Sequence, residues 1–253
     1  QHSLPFQLTV PALLADQELL YRAHLDPNKI PQNWEQLLHA LERLYSYRQK
    51  TQTEYLIGIP LLGGRGLWMF ESLFSETQPI SKIQETLTKK MKGRFQPNND
   101  FKTSLYTEQA VRAFSERKAP FLVGSTDLFP IIASQSVFRW SAVPLFGAER
   151  AAQQPASGSR LIIVRETTEV KQFIEYLYSP RVAARWTTAG GFLPLEPAWT
   201  QTPEWKQAGS TLGDYIFLLT KFRTQKFRQS DEKTVRKRAD QIQEIHKTLL
   251  NSN

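Results

Sequence analysis

Residues 119–127 read Ala-Pro-Phe-Leu-Val-Gly-Ser-Thr-Asp, an apolar run that ends in three short polar side chains. The run predicts a buried β-strand over residues 119–124, and Ser125-Thr126-Asp127 predicts the capped start of a helix. A strand that leads into a helix in this way leaves free backbone amides at its carboxyl end. Because open α/β sheets hold ligands at such ends, the stretch predicts an α/β fold with a ligand contact near residue 125.

Helices and strands alternate along the rest of the chain. Asn33 and Gln36 form a capping-box pattern, so a helix is predicted from residue 33, with apolar residues at three- and four-residue steps up to residue 45. Residues 169–178 and 179–190 predict a helix pair that ends at Gly190 and Gly191. Further strands are predicted over residues 5–14, 55–62, 138–145 and 160–164, and further helices over residues 16–23, 81–92, 107–114, 212–227 and 231–250. The alternation predicts an α/β sandwich.

The composition is that of a folded protein without an evident catalytic motif. Hydrophobic residues make up 40% of the 253 residues and aromatic residues 11%, and there is no cysteine, which excludes disulfides and thiol chemistry. The four histidines are scattered without metal-ligand spacing, and the glycines of residues 63–66 match neither a Walker loop nor a dinucleotide fingerprint. No Gly-x-Ser-x-Gly surrounds Ser125. The sequence predicts no enzyme activity, no metal and no cofactor.

Positive charge is concentrated near the carboxyl terminus. The net charge is +8, and residues 221–238 carry eight basic against two acidic side chains. Such a segment is typical of a solvated helix face, and it also suits nucleic acid, anionic lipid or an acidic protein partner. No aromatic-studded recognition motif accompanies it, so nucleic acid is not predicted as a partner.

Four stretches of the sequence, in this order, carry a resemblance to a known family. They are residues 3–6 with the helix start at residues 31–37; Phe114, Lys118, Ala119 and Gly124; Val143-Pro144-Leu145 with Ser157-Gly158-Ser159; and Phe173 to Leu177, Ser179-Pro180 and Trp186 with Gly191-Phe192-Leu193-Pro194. Together they resemble the family-1 extracellular solute-binding proteins, especially the glycerol-3-phosphate-binding branch. The fourth stretch is similar to the glycine-tyrosine-leucine-proline turn of that family.

The resemblance implies a type II periplasmic-binding-protein-like lobe, a three-layer α/β/α structure with remnants of a second lobe. Residues 1–10 would form the first crossing strand, residues 11–156 and 193–253 the carboxy-terminal lobe, and residues 157–192 a crossing strand with a segment of the amino-terminal lobe. In this family the ligand lies in a cleft that closes by hinge motion, and the closed form docks on the permease. Most of the amino-terminal lobe is missing from the match.

The same resemblance implies a set of ligand contacts, each of which also has a structural interpretation. The implied contacts are Ser3, Trp68, Ser125, Thr126, Gly158, Gly191 and Phe192. Trp68 would present an aromatic face to a sugar ring or lie in the core. The hydroxyls of residues 125 and 126 would bind ligand or cap a helix, and Gly158 would admit a ligand to the backbone or simply serve a loop. Trp140 and Trp186 are assigned to the core.

Two departures from the branch bear on the solute. Thr211-Leu212-Gly213 lacks the arginine of the Arg-Leu-Gly stretch in that branch, and Ala15-Asp16 replaces its Tyr-Asn. Phosphate recognition would lose a bidentate cation, so a neutral sugar or polyol is placed ahead of glycerol phosphate. The prediction is an extracytoplasmic or periplasmic binding component of an ABC importer, with a lipid anchor in the missing amino terminus. The alternative is a binding-protein lobe that acts as a protein-interaction scaffold through its basic helices.

Overall fold

The computed structural model of the chain describes residues 2–51, 107–146, 154–211, 213–223 and 227–228. The chain divides into two compact units, each assembled from three separate stretches. Unit 1 comprises Gln1–Val10, Ser125–Gln135 and Ala156–Gln225, and unit 2 comprises Pro11–Gly124, Ser136–Pro155 and Lys226–Asn253.

The described residues form an alternating series of strands and helices. The strands are β1 His2–Thr9, β2 Pro11–Asp16, β3 Phe121–Ser125, β4 Trp140–Pro144, β5 Gln154–Pro155, β6 Ser157–Ile163 and β7 Phe227–Arg228. The α-helices are α1 Gln17–Arg22, α2 Trp34–Thr51, α3 Thr107–Ser115, α4 Phe129–Gln135, α5 Thr168–Tyr178, α6 Pro180–Gly190, α7 Pro203–Thr211 and α8 Tyr215–Arg223. Short 3-10 helices cover Thr126–Leu128 and Pro197–Gln201.

Unit 2 is built on a three-stranded sheet of order β3-β2-β4, in which β2 and β4 are antiparallel. All six residues of the central strand β2 are buried, as expected for a strand that is covered on both faces. Leu37, Leu41 and Leu44 of α2 recur at helical spacing and are almost completely buried. The hydrophobic effect of these side chains holds the helix in the unit.

The start of α2 confirms the capping box predicted from sequence. The backbone N–H of Gln36 donates to Asn33 Oδ1 at 2.9 Å, and Gln36 Oε1 accepts from the backbone N–H of Gln32 at 2.8 Å. The N–H of Gln36, which the first turn of the helix leaves without an intrahelical partner, is thereby satisfied, as is the N–H of Gln32 just before the helix.

A buried ion pair joins the end of β2 to the turn after α3. The Asp16 carboxylate is inaccessible to solvent, accepts from the N–H groups of Glu18 and Leu19 at 2.9 Å, and lies 3.0 Å from Arg117 Nε. Burial raises the pKa of Asp16, and the two amides and the guanidinium oppose that rise. The Arg117 guanidinium also lies 5.2 Å from the ring centre of Phe138, within cation–π range. Asp16 is therefore engaged in structure and is not available as a ligand contact.

Unit 1 contains the antiparallel pair β1–β6 and the consecutive helices α5 and α6. The pairing runs from His2 opposite Ile163 to Thr9 opposite Ser157, with a register shift between Pro5 and Gln7. The Thr167 hydroxyl caps α5 by accepting from the Val170 N–H at 3.3 Å, and Pro180 occupies the first turn of α6. Two aromatic rings, Phe129 and Phe222, meet edge to face between α4 and α8 with centres 5.8 Å apart.

Most predicted elements in the described part of the chain are confirmed, and three need correction. The single strand expected over residues 5–14 is two strands, β1 and β2. The helix expected over residues 212–227 is α8, and Phe227 lies in a strand. Ser125 precedes a 3-10 helix but its hydroxyl makes no capping bond, because it donates to the Asp127 carboxylate. The strand predicted at residues 55–62 and the helices at residues 81–92 and 231–250 lie outside the described residues.

The compact units also bear on the predicted domain ranges. Unit boundaries fall at residues 10/11 and 155/156, close to two of the expected crossings, whereas residues 193–225 belong to unit 1 and not with residues 11–124. The assignment of the predicted ranges to the two lobes of the family stays a prediction.

Candidate functional site

Several segments that are distant in sequence converge on the end of β1. Leu8 pairs with Gly158 of β6, and the Leu8 carbonyl accepts from the Leu193 N–H at 2.8 Å. Two residues on, the Val10 carbonyl accepts from the Thr126 N–H at 3.1 Å. The end of β1 is thus the point of unit 1 at which β6, the turn after α6 and the polar stretch after β3 come together.

Gly191 forms the turn after α6 and packs against the stretch after β3. Its backbone is left-handed (φ 66°, ψ 24°), and its N–H donates to the Thr188 carbonyl at 3.3 Å. A side chain on Gly191 would overlap the Thr126 carbonyl oxygen, and its Cβ would lie 2.7 Å from Pro130 Cδ and 3.1 Å from Asp127 Cα. Glycine is therefore required here both by its backbone conformation and by the close approach of a second segment.

Phe192 belongs to a partly exposed aromatic cluster, which consists of Phe6, Tyr178, Trp186, Phe192 and Trp199. The ring of Trp186 is the centre of the cluster, 4.7 Å from Phe6, 5.5 Å from Trp199 and 6.3 Å from Phe192. Trp199 is buried, whereas the other four are intermediate in exposure. Rings at these distances and tilts attract one another, so the cluster holds its exposed members in place.

Two polar contacts and one glycine fix the orientation of the cluster. Trp186 Nε1 donates to the Leu177 carbonyl at 3.3 Å, and the Tyr178 hydroxyl donates to the Pro5 carbonyl. Burial raises the pKa of Tyr178, so its hydroxyl remains a donor well above neutral pH. Gly190 has no side chain, and the Phe192 ring lies where its Cβ would be. The Phe192 ring consequently rests on helix backbone on one side.

The polar stretch after β3 presents a carboxylate to solvent. Ser125 is 6% exposed and its hydroxyl donates to Asp127 Oδ1, whereas Asp127 itself is exposed. Thr126 is fully buried, and its Oγ1 makes no hydrogen bond to any residue that the structure describes. Of these three residues, only Asp127 is exposed to solvent.

The structure brings together most, but not all, of the predicted contacts. Ser125, Thr126, Gly158, Gly191 and Phe192 gather at the end of β1. Ser3 lies near the opposite end of that strand, about 16 Å from Leu8 at the usual rise per residue, and its Oγ accepts from Arg160 Nε. The side of Gly158 on which a Cβ would project is filled by the Gln7 carbonyl. Trp68 lies outside the described residues.

Two members of the site were not predicted as contacts. The sequence predicts a helix cap at Asp127, although an acidic residue just after a strand is also the signal of a hydrogen-bond acceptor. Trp186 was assigned to the core, yet it is only partly buried. The buried residues of α6 are Ala183, Ala184, Thr187 and Thr188, so Trp186 falls at the margin of the buried face. Trp140 is likewise only partly buried.

Other features of the described residues carry no site chemistry. No group of three or more His, Cys, Asp or Glu side chains suited to a metal ion occurs among them. None of the helices within the described ranges is long and apolar enough to span a bilayer. The basic segment at residues 221–238 lies mostly outside the described residues, so the scaffold alternative stays a prediction that no comparison supports.

Comparison with solved structures defines the fold class. A cyclic α-maltosyl-1,6-maltose binding protein from Arthrobacter globiformis matches 99% of this chain with a TM-score of 0.66 and 15% identity. UgpB from Mycobacterium tuberculosis, in complex with glycerophosphocholine, matches 91% with a TM-score of 0.67 and 16% identity. The maltose-bound MalE3 of T. maritima matches 99% with a TM-score of 0.69 and 17% identity. These likenesses show the fold of type II periplasmic-binding proteins, as predicted.

Sequence comparison supplies the family. A family model described as bacterial extracellular solute-binding protein matches residues 2–211, and the chain belongs to that family. No curated protein matches the sequence significantly. The chain spans 67%, 60% and 68% of the three solved chains named above. This match confirms the predicted family, and with it the predicted extracytoplasmic location.

Proposed function

We propose that this chain is the solute-capturing part of an ABC importer, that it takes up a carbohydrate, polyol or glycerol-phosphate-like solute for a permease, and that it has no catalytic activity. One observation carries the proposal. A partly exposed aromatic cluster includes Phe192, and the preceding residue, Gly191, packs against the backbone of the exposed Asp127, within a chain that belongs to a solute-binding family.

The aromatic cluster suits the apolar face of a sugar or polyol. Such solutes present C–H groups on one side and hydroxyls around the edge, so a fixed aromatic face and a few polar groups bind them together. Phe192 is held between Gly190 and Trp186, and Asp127 Cα lies within a few ångströms of the Gly191 backbone. The arrangement requires little ordering on binding, which favours affinity.

The structural neighbours suggest which solutes to test first. Two of the named structures are binding proteins for maltose-type sugars, and the third is in complex with glycerophosphocholine. A panel of maltose, glycerol, glycerol 3-phosphate and glycerophosphocholine therefore covers neutral sugars, a polyol and phosphate esters.

A lipid anchor would be supported if the full-length gene product carried a lipoprotein signal.

Thermal unfolding in the presence of each solute tests the proposal. A solute at a hundred times its Kd adds about 2.7 kcal/mol to the free energy of unfolding, which would raise the Tm of a chain of this size by roughly 5–10 °C. We expect such a rise with at least one member of the panel. A Tm that stays constant with every solute at millimolar concentration would contradict the proposal.

Two matched variants locate the binding surface. Phe192→Ala removes a ring of the aromatic cluster, and we expect it to abolish most of the ligand-dependent rise in Tm. Phe217→Ala removes a phenylalanine that is 69% exposed on α8 and outside the cluster, so its ligand response should equal that of the wild type. Equal responses from both variants would place the ligand elsewhere.

A further inference from the structure

We propose that Asp127 determines solute specificity at the end of β1, by accepting hydrogen bonds from the hydroxyls of a neutral solute and by repelling phosphate esters. This inference rests on the proposed function and deepens it. It concerns a residue that sequence reasoning assigned only to a helix cap.

The position of Asp127 is fixed by the segments around it. Its Cα lies against the backbone of Gly191, the residue before Phe192, and its Oδ1 accepts from the Ser125 hydroxyl. These contacts hold the carboxylate through Oδ1, and the residue as a whole is exposed to solvent. An acceptor that is already oriented loses little conformational freedom on binding.

No described cation neutralises this carboxylate. Asp127 forms no ion pair with any residue in the described part of the chain, and three arginines of unit 1 contact other groups. Arg181 and Arg185 contact Glu204, and Arg160 donates to the Ser3 hydroxyl and carbonyl. Among the described residues, the Asp127 carboxylate therefore has no cationic partner, and its Cα lies against Gly191, the residue before Phe192.

The Asp127 carboxylate and the Phe192 ring together distinguish two classes of solute. An ionised carboxylate is an acceptor only, so it suits the adjacent hydroxyls of a sugar or polyol. A phosphate ester brings negative charge and further acceptors, which meet like charge at Asp127 and find no donor there. With Phe192 beneath its C–H face, a neutral ring or chain satisfies both groups at once.

Calorimetric titration of the whole chain tests the inference with three variants. Asp127→Ala removes the acceptor, and we expect the affinity for maltose or glycerol, whichever the wild type binds, to fall about tenfold. Asp127→Asn keeps the shape and removes the charge, so the affinity for glycerol 3-phosphate relative to glycerol should rise. Asp214→Asn, at an exposed aspartate just before α8, is the matched control and should change neither. Far-UV circular dichroism checks the fold of each variant.

The outcomes separate this inference from the proposed function. If the wild type binds a neutral solute and Asp127→Ala binds it equally well, the inference is wrong and the proposed function stands. Tighter binding of glycerol 3-phosphate than of glycerol by the wild type would have the same meaning. If no solute of the panel binds at all, the proposed function fails and the inference fails with it.

Discussion

Gly191→Ala offers the sharpest test of how the site is assembled. Gly191 has a left-handed backbone with φ of 66°, and its missing Cβ leaves room for the Thr126 carbonyl, Pro130 Cδ and Asp127 Cα. Alanine would therefore meet two separate penalties, one from its own backbone conformation and one from the neighbouring segment.

The two penalties can be estimated from general values. The left-handed conformation costs an L-residue about 1–2 kcal/mol. Overpacking against a well-packed neighbour costs about 1–3 kcal/mol, and two of the three neighbouring atoms here belong to backbone, which cannot rotate away. We expect Gly191→Ala to lower the free energy of unfolding by about 2–5 kcal/mol.

Substitutions at three other glycines of unit 1 measure the conformational penalty and the packing penalty separately. Gly213 has φ of 95°, and no atom of the described residues lies near its missing Cβ, so Gly213→Ala should cost only the conformational penalty of about 1–2 kcal/mol. Gly158 has no left-handed backbone, but its Cβ would overlap the Gln7 carbonyl and lie 3.2 Å from Leu8 Cα, so Gly158→Ala should show the packing penalty alone. Gly209 has neither problem and lies in α7, so Gly209→Ala should stabilise by about 1 kcal/mol.

Urea denaturation followed by circular dichroism measures all four variants under one set of conditions. The expected order of stability is Gly209→Ala, wild type, then Gly213→Ala, with Gly158→Ala and Gly191→Ala the lowest, because a Cβ at either of the last two positions would overlap a backbone carbonyl. The reasoning would be refuted if Gly191→Ala were as stable as Gly209→Ala at an unchanged m-value. Such a result would mean that the turn after α6 does not lie against residues 126–130.

Two further predictions concern buried polar groups. Arg117→Met leaves the Asp16 carboxylate buried without its cation and should lower the free energy of unfolding by about 3–5 kcal/mol at pH 7. Burial raises the pKa of Asp16, so the folded state favours the protonated carboxyl. The stability of the variant should therefore recover as the pH falls towards 4. The second prediction concerns Tyr215 of α8, whose buried hydroxyl donates to the Thr188 carbonyl at 2.9 Å. Burial raises the pKa of Tyr215 to about 12. Phe217 lies on the same helix and provides the control. The stability of the wild type should therefore decline as the pH rises from 10 to 12, and Tyr215→Phe should remove that decline while Phe217→Ala keeps it, as urea titrations at each pH would show.

The elements with strong local signals could be predicted from sequence alone. The helix pair α5 and α6 follows from its apolar spacing, from Pro180 at the start of the second helix and from Gly191 at its end. The start of α2 follows from Asn33 and Gln36. In each case the side chains and backbone groups that decide the structure are within four residues of one another, so no distant contact is needed to specify them.

Parts of the candidate site could not be predicted, because their partners are distant in sequence. The sequence predicts that Thr126 belongs to a helix cap, but its backbone N–H donates to the carbonyl of Val10, far earlier in the chain. Ser3 was grouped with the contacts by motif, yet the extended strand β1 carries it away from Leu8. The sequence predicts a core position for Trp186, and only its contacts with Phe6 and Phe192 show that it belongs to a partly exposed cluster.

The amino-acid sequence by itself determined the alternation of strands and helices, the ends of several helices and, through the order of its motifs, the family. Those features depend on hydrophobic periodicity and on capping groups that act within a turn or two of the chain. Only the tertiary structure decided that Thr126, Gly158, Gly191 and Phe192 meet at the end of β1, and that Asp127 is the exposed carboxylate among them. That meeting depends on hydrogen bonds and packing between segments more than a hundred residues apart, such as the bond from Thr126 to Val10, which local sequence does not specify.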